Sequence, residues 1–538
     1  MTSFDQLNNR FERLRSDRHR WENHWQEIRE LVNPDAMDFT RASTGGEKRT
    51  EQIFDGTAPW ALEQLASGLQ SFLTSPSDRW FTLCVKDYPD YEAEPEILAW
   101  LEMVSDAIFQ IYSDPRVNFP DSIHESYQDL GSFGTSVLYQ DWDENDGHVT
   151  FKSFSLADCY ILENSKGMVD TLYRKVNWSL RQIKQEFGEE VLNQKMKDEK
   201  DQDKMYEPVH AVFPRMDRVP GKMNKQNKKF GSYWFLPSEK LVLRESGFSE
   251  FPYHCPRWTK RAGEVYGRSP AMTCLPDIKL LNAMEKVMIK SAQKLADPPL
   301  LVPSDGFTLP IKTAPSSLIF FEAGLAQQDM LKPLETRARP EIAEEKMAQK
   351  RQHILRSFYA DWITREKKRE RQSATEIMDD REEMLQLMAP ILGRLQTELL
   401  GPLIARTYNF LKEKRKLPPT PILLQRRSLY VGYKSPAAKA QLATKGVAIR
   451  RFTQELIPLA QIDPTIMDVL HPDKYAAELA VYMDVSRKIL RTPEELEELR
   501  DKREKAQQMQ QLTEVAGPAS QAIKNIADAK EKGMNLTL

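Results

Sequence analysis

Over the first 32 residues apolar side chains recur every three or four positions: Phe4, Leu7, Phe11, Leu14, Trp21, Trp25, Ile28 and Val32. That spacing predicts one helix with a single apolar stripe, interrupted by Arg18. Asn33-Pro34 ends it, because proline disfavours helix at the residue before it. The stripe predicts a helix docked on its own domain. As the seam of a free coiled coil it is short and broken by a charge.

Further along, helices are predicted at about 58–72, 94–112 and 118–130, with a strand at Trp80–Val85. From Gly131 to about Trp178 the pattern turns to short strands. Ser136–Tyr139 and His148–Phe151 are joined by the acidic turn Asp143-Glu144-Asn145-Asp146-Gly147. Gly131-Ser132-Phe133-Gly134 reads as a tight turn before a strand. A polar helical stretch is expected over 180–200 and strands near 208–216 and 232–243. The Lys/Asn run 222–229 between them reads as a mobile hairpin tip.

Two long helical patterns follow, 269–296 and 340–360. They flank a segment, 297–333, rich in Pro, Gly and β-formers. A charged bridge, 364–371, leads to the longest helical pattern, 374–416. Met384, Met388, Ile391, Leu395, Leu399 and Leu403 line one face of it. Pro390 and Pro402 inside it predict a bent rod. After Pro418-Pro419-Thr420-Pro421 the chain reads as helical, with a clear start at Thr492, Pro493 and Glu495. The fold class expected is α+β, mainly helical.

Composition narrows the function classes. Apolar residues make up 40% and charged residues 29% of 538, so a core is available. The formal net charge of −3 lacks the basic excess of a general nucleic-acid binder, so any such contact must come from local clusters. The four cysteines, Cys84, Cys159, Cys255 and Cys274, form no CxxC pair, and reduced thiols are the expectation. No apolar leader and no run of about 18 apolar residues occurs, so neither secretion nor membrane spanning is expected.

Catalytic signatures are missing. There is no GxxxxGK[ST] phosphate loop, no HExxH and no GxSxG elbow. His19 and His24 flank Trp21 without metal-ligand spacing. Asp379-Asp380 and Glu382-Glu383 lie on a highly charged helical pattern and read as a solvated face. No enzyme activity, cofactor or metal is expected.

Two basic features stand out. Lys279, Lys286, Lys290 and Lys294 share one face of the first long helix. Arg365, Lys367, Lys368, Arg369 and Arg371 crowd the bridge, diluted by Glu366 and Glu370. Each is open to two readings: a solvated surface with weak local ion pairs, or, in a symmetric ring, hoops of charge acting on DNA phosphates without reading sequence.

An ordered set of short motifs resembles the head-to-tail connecting (portal) proteins of short-tailed double-stranded-DNA bacteriophages. It runs Arg18-His19-Arg20-Trp21-Glu22-Asn23-His24-Trp25 to Asn33-Pro34, Ile53-Phe54-Asp55-Gly56-Thr57-Ala58, Leu65-Ala66-Ser67-Gly68-Leu69 and Arg79-Trp80-Phe81. Then come Gly131-Ser132-Phe133-Gly134-Thr135, Tyr266-Gly267-Arg268-Ser269-Pro270 and Leu280-Leu281-Asn282. Asp297-Pro298-Pro299, Ser373-Ala374-Thr375-Glu376-Ile377 and Leu417-Pro418-Pro419 complete it. The likeness covers about residues 10–440.

The resemblance implies a portal fold in a homododecameric ring around a channel at one capsid vertex. In it, 1–268 would be the wing, 269–296 and 334–360 the stem helices, 297–333 the clip, and 361–372 the tunnel loop. The kinked wing helix would be 373–430 and the crown 431–538. Implied partners are other copies of the chain, double-stranded DNA held non-specifically, the terminase large subunit and then tail adaptor and tail proteins, and the major capsid and scaffolding proteins. Its place would be the head–tail junction of the virion, after assembly in the host cytoplasm. Competing readings are an internal core or tail-tube component and a DNA-packaging enzyme.

Overall fold

The computed structural model describes residues 3–41, 46–85, 95–144, 146–219, 224–296, 300–301, 332–333, 340–361, 387–424, 427–433, 446–456, 458, 470–482, 495–496 and 498–506. The helices are α1 (Phe4–Leu31), α2 (Thr57–Leu73), α3 (Pro95–Ser113), α4 (Phe119–Phe133), α5 (Leu180–Phe187), α6 (Gln194–Lys197), α7 (Pro270–Ala296), α8 (Pro340–Ser357), α9 (Gly401–Glu413) and α10 (Pro472–Tyr482). The strands are β1 (Phe81–Val85), β2 (Val137–Asp143), β3 (His148–Phe154), β4 (Cys159–Glu163), β5 (Val169–Lys175), β6 (Trp178–Ser179) and β7 (Met205–Tyr206). They continue with β8 (Val209–Pro214), β9 (Phe230–Leu236), β10 (Leu241–Phe248), β11 (Tyr253–His254), β12 (Leu300–Leu301), β13 (Lys332–Pro333) and β14 (Leu429–Tyr433). Contacts divide the chain into one unit of residues 1–81 with 105–418 and a second of 82–104 with 419–538.

In the first unit an antiparallel sheet, ordered β10-β9-β8-β5-β4, is covered on one face by α1. Leu7, Phe11 and Leu14 of that helix bury against Tyr160, Tyr173, Phe213, Tyr233 and Phe235. Burial of such side chains stabilises by roughly 1.5–3 kcal/mol each. Ser3 starts the helix with a capping box closed by Gln6. Arg18 does not interrupt the stripe: it is 2% exposed and belongs to it. Its Nη1 donates to the Leu156, Ala157 and Cys159 carbonyls at 3.0, 2.7 and 2.9 Å, and its guanidinium stacks 3.8 Å from the Tyr160 ring centre. A buried cation is tolerated there because Glu22 and three carbonyls satisfy it.

Several sequence expectations are corrected. The stretch 180–200 is not one helix: Gly188, at φ +82°, ends α5, and only the single turn of α6 follows. Residues 232–243 are not one strand but parts of the hairpin β9–β10, turned by Pro237–Glu239 and Lys240 at φ +49°. The run 222–229 is not an open tip over its described part. Lys225–Asn227 form a 3-10 turn, and the buried Asn227 side chain accepts from the Val219 amide and donates to the Val219 carbonyl. Gly131–Phe133 are the last turn of α4, and Gly134, in the left-handed region, caps it.

Residues 387–395 are helical and pass through a π turn, Gln396–Leu400, into α9. The wide turn stands immediately before Gly401-Pro402. It absorbs the amide that Pro402 lacks and the clash its ring makes one turn back. Met388, Ile391, Leu395, Leu399 and Leu403 are buried, as their spacing predicts; Met384 lies outside the described residues. So do the tunnel-loop basic cluster, almost all of 297–333, and Thr492 with Pro493.

In the second unit β1 and β14 form a two-stranded sheet, with Gly432 close against Cys84 and Thr82. Arg500 pairs with Asp473 at the start of α10.

Candidate functional site: an anchored helix pair

Helices α7 and α8 lie side by side, and the strands that follow and precede them, β12 and β13, pair antiparallel. The inner half of α7 is apolar on one side, so Ala271, Cys274, Leu275, Ile278 and Leu281 are buried. Met347, Ile354 and Phe358 do the same from α8 and the turn after it. Polar locks fix the register. Asp277 accepts from Lys350 at 2.7 Å and contacts the His353 ring nitrogen at 2.5 Å. Lys350 first, then His353, holds the Asp277 carboxyl below its usual range against burial. Arg351 reaches Glu285 of α7 at 2.9 Å and Asp55 at 2.8 Å. Burial opposes ionisation of Asp55, but hydrogen bonds from Thr57 and Arg351 outweigh it.

The base of the pair is set in the first unit by residues of separate motifs. A Cβ on Gly267 would stand 2.1 Å from the Gly134 carbonyl oxygen, and one on Gly134 would stand 2.6 Å from that of Gly267. Only glycine permits this approach from both sides. Gly267 N donates to Thr135 Oγ1 at 2.8 Å. Ser269 Oγ donates to the Ser132 carbonyl at 2.7 Å and accepts from Met272 N at 3.0 Å, capping α7. Asn282 Oδ1 accepts from the Phe54 and Asp55 amides at 2.7 and 3.3 Å, and Nδ2 donates to the Gln52 carbonyl. Thus Ile53–Ala58, Gly131–Thr135, Tyr266–Pro270 and Leu280–Asn282 converge on one joint.

The four lysines of α7, Lys279, Lys286, Lys290 and Lys294, split into two pairs. Lys279 reaches Glu27 of α1 at 2.5 Å, and Lys286 lies 5.0 Å from the Phe54 ring centre. Lys290 and Lys294 are exposed on the outer half of α7, which also exposes Val287 and Ile289. Spacing alone does not separate the tethered pair from the outer pair. Asn282, Arg351 and the Gly134–Gly267 contact were not singled out individually by sequence, although all but Arg351 lie in the quoted motifs.

Among the described residues no group of three or more His, Cys, Asp or Glu could hold a metal ion. Burial pushes the Cys159 and Cys274 thiols up to about 12, far from a nucleophile's range. His19 is exposed and bonded to Glu22, and His24 stands apart from it. No helix among the described residues is long and apolar enough to cross a membrane.

Residues 4–490 match the family described as bacteriophage head to tail connecting protein. The chain belongs to that family. It is 31% identical over 494 residues to a probable portal protein of Bordetella phage BPP-1, covering 90% of this chain and 88% of the relative. It is 28% identical over 541 residues to the portal protein of Salmonella phage epsilon15, covering 98% and 96%. The head-to-tail connecting proteins are structural components of the junction between phage head and tail, and the joint at the base of α7 is built from the motifs that carried the resemblance.

Proposed function

We propose that this head-to-tail connecting protein closes into a homododecameric ring at one capsid vertex. There it forms the channel for genome packaging and ejection, and the platform for the terminase large subunit and then the tail adaptor. In this reading α7 and α8 are the stem, 297–333 the clip, 361–372 the tunnel loop, 373–430 the wing helix and its extension, 431–538 the crown, and 1–268 the wing. Major capsid and scaffolding proteins are its partners during assembly. No covalent chemistry is required of it.

The supporting observation is the contrast along α7. Its inner half buries one side and is locked there, with Leu280 exposed on the other, whereas its outer half shows Val287, Ile289, Lys290 and Lys294 to solvent. A helix of 27 residues reaches about 40 Å. A stiff projection with apolar side chains left uncovered is the expected form of a subunit that packs beside copies of itself. DNA then meets repeated, weak, non-specific contacts rather than a reading surface.

The test is mass measurement and imaging of the purified full chain. Closed rings with a central hole support the reading. A tube, or single subunits that persist inside mature particles, would favour a tail-tube or core component instead.

A further inference from the structure

The first unit contains a cavity of about 1120 Å³ that the ring function does not use. It lies between the five-stranded sheet and the sheet ordered β11-β2-β3, with α9 along one side. One wall is a stack of rings: Trp178 on Trp234 at 5.1 Å and His210 on Trp234 at 4.4 Å, both nearly parallel. His210 is buried, held by the Tyr253 and Ser232 hydroxyls, and burial keeps it neutral.

Charge in the cavity is unbalanced. Its carboxylates are mostly engaged already. Glu144 is held by Lys414, Glu186 by Arg244, and Glu245 by Arg215. Asp141 receives Tyr139 and faces Arg406, and Glu250 receives Asn409. Glu250 is held by a neutral amide and keeps its charge, as does Glu413, the remaining lining carboxylate. Against these two stand four lining cations, Lys152, Arg174, Lys225 and Lys228, for which no ion pair forms among the described residues, so the lining as a whole carries seven cations and six carboxylates.

Arg174 is the most constrained of the four. Its guanidinium carbon lies 3.8 Å from the Phe154 ring centre and 5.8 Å from that of Trp234. Its Nε is buried and makes no hydrogen bond. A guanidinium fixed by stacking, with donors to spare, is prepared to receive a planar anion bidentately.

We infer that this cavity is a docking site for an acidic, aromatic-containing peptide segment of a partner protein, with a carboxylate of that segment received by Arg174. The volume slightly exceeds that of the usual small-molecule pocket, roughly 300–1,000 Å³. A sphere of that volume is about 13 Å across, room for a short peptide segment. Peptide amides would find Ser249 and Asn224 at the cavity wall.

The experiment titrates the full chain with an acetylated, amidated hexapeptide of alternating Glu and Phe, followed by calorimetry and tryptophan fluorescence. Saturable binding is expected. It should weaken at least about tenfold in Arg174→Met, the loss expected for one charge-assisted hydrogen-bonded contact. The same peptide with Lys for Glu should not bind, and a short DNA duplex should not compete. The inference is overturned if the acidic peptide fails to saturate, if the Lys peptide binds equally, if the duplex displaces the peptide, or if a folded Arg174→Met binds like the parent. Should Arg174→Met lose its circular dichroism, the exposed pair Lys152→Met with Lys225→Met decides instead. A several-fold weakening is then expected, and unchanged binding overturns the inference. Ring closure is scored separately, so its outcome does not bear on this result.

Discussion

The guanidinium of Arg257 holds both carboxylate oxygens of Glu398 across 141 residues of chain. Its Nε meets Oε2 at 3.1 Å and its Nη2 meets Oε1 at 2.8 Å. The Arg257 amide adds a third bond to the same carboxylate at 3.0 Å. Arg257 is fully buried, and its remaining donors reach Glu163 and the Val265 and Gly167 carbonyls. Glu398 lies in the π turn. The widened helix is therefore tied to the segment that leads into α7.

Breaking this pair from the Glu398 side leaves Arg257 with Glu163 as its remaining counter-ion. Glu398→Gln is expected to destabilise the first unit by about 1–3 kcal/mol, the cost of buried charge-assisted bonds left unmade. Arg257→Met with Glu398→Leu should recover much of that loss. Urea unfolding of both variants checks it, and a double variant no better than Glu398→Gln would refute the account.

Gly267→Ala places a methyl 2.1 Å from a backbone oxygen that cannot move aside alone. A loss of about 3 kcal/mol or more, or failure to fold, is expected from the forced backbone shift. Gly263→Ala is the control: its φ is +82°, but nothing stands within 4 Å of the added carbon. It should lose only about 1–2 kcal/mol, the strain of the left-handed conformation. Equal losses in the two would remove steric approach as the explanation.

Burial holds His254 down to about 3 and His210 well below the usual imidazole value. Both are neutral in the folded chain, and both take up protons below about pH 6.5 once unfolded. The stability they permit is present above pH 6.5 and is lost as pH falls from there towards 3. Each contributes a slope of about 1.4 kcal/mol per pH unit. Burial pushes the Asp129 carboxyl up to about 8, which works in the opposite sense and offsets about one histidine; urea midpoints between pH 6.5 and 5 should still fall with pH, and His254→Asn should flatten the fall. A flat profile in the parent chain would contradict this.

Replacing Arg365, Lys367, Lys368, Arg369 and Arg371 by alanine should leave rings intact while impairing packaging or DNA retention. Losing phosphate contacts of this kind weakens binding without changing sequence preference. Packaged-genome length and retention at raised temperature are the readouts. Unchanged values would exclude this segment from the channel.

Periodicity located α1, α2, α4, α7, α8 and the run into α9 within a few residues, because each buries one stripe and its stripe is written in sequence. What it misjudged were charges and turns. Arg18 reads as an interruption until three carbonyls from another segment are placed around it. The run 180–200 has helical residue types throughout, yet Gly188 and the core needs of Leu192 and Met196 break it. The hairpin at Pro237–Glu239 hides in a continuous β-forming stretch. At the joint, the motifs were legible as strings, but not that Gly134 and Gly267 touch or that Asn282 holds the amides of Phe54 and Asp55. Those relations depend on chain segments more than a hundred residues apart. The four lysines of α7 recur at helical spacing, but spacing does not show that Glu27 and Phe54 engage the inner two.

Arg351 sits where a lever would have its fulcrum. Its guanidinium donates through Nη2 to Glu285 on the neighbouring helix and through Nε to Asp55, two residues before α2 begins. A sideways push on the far ends of α7 and α8 therefore does not stay within the pair: Arg351 from α8 and Asn282 from α7 both hand the torque to the segment that opens α2.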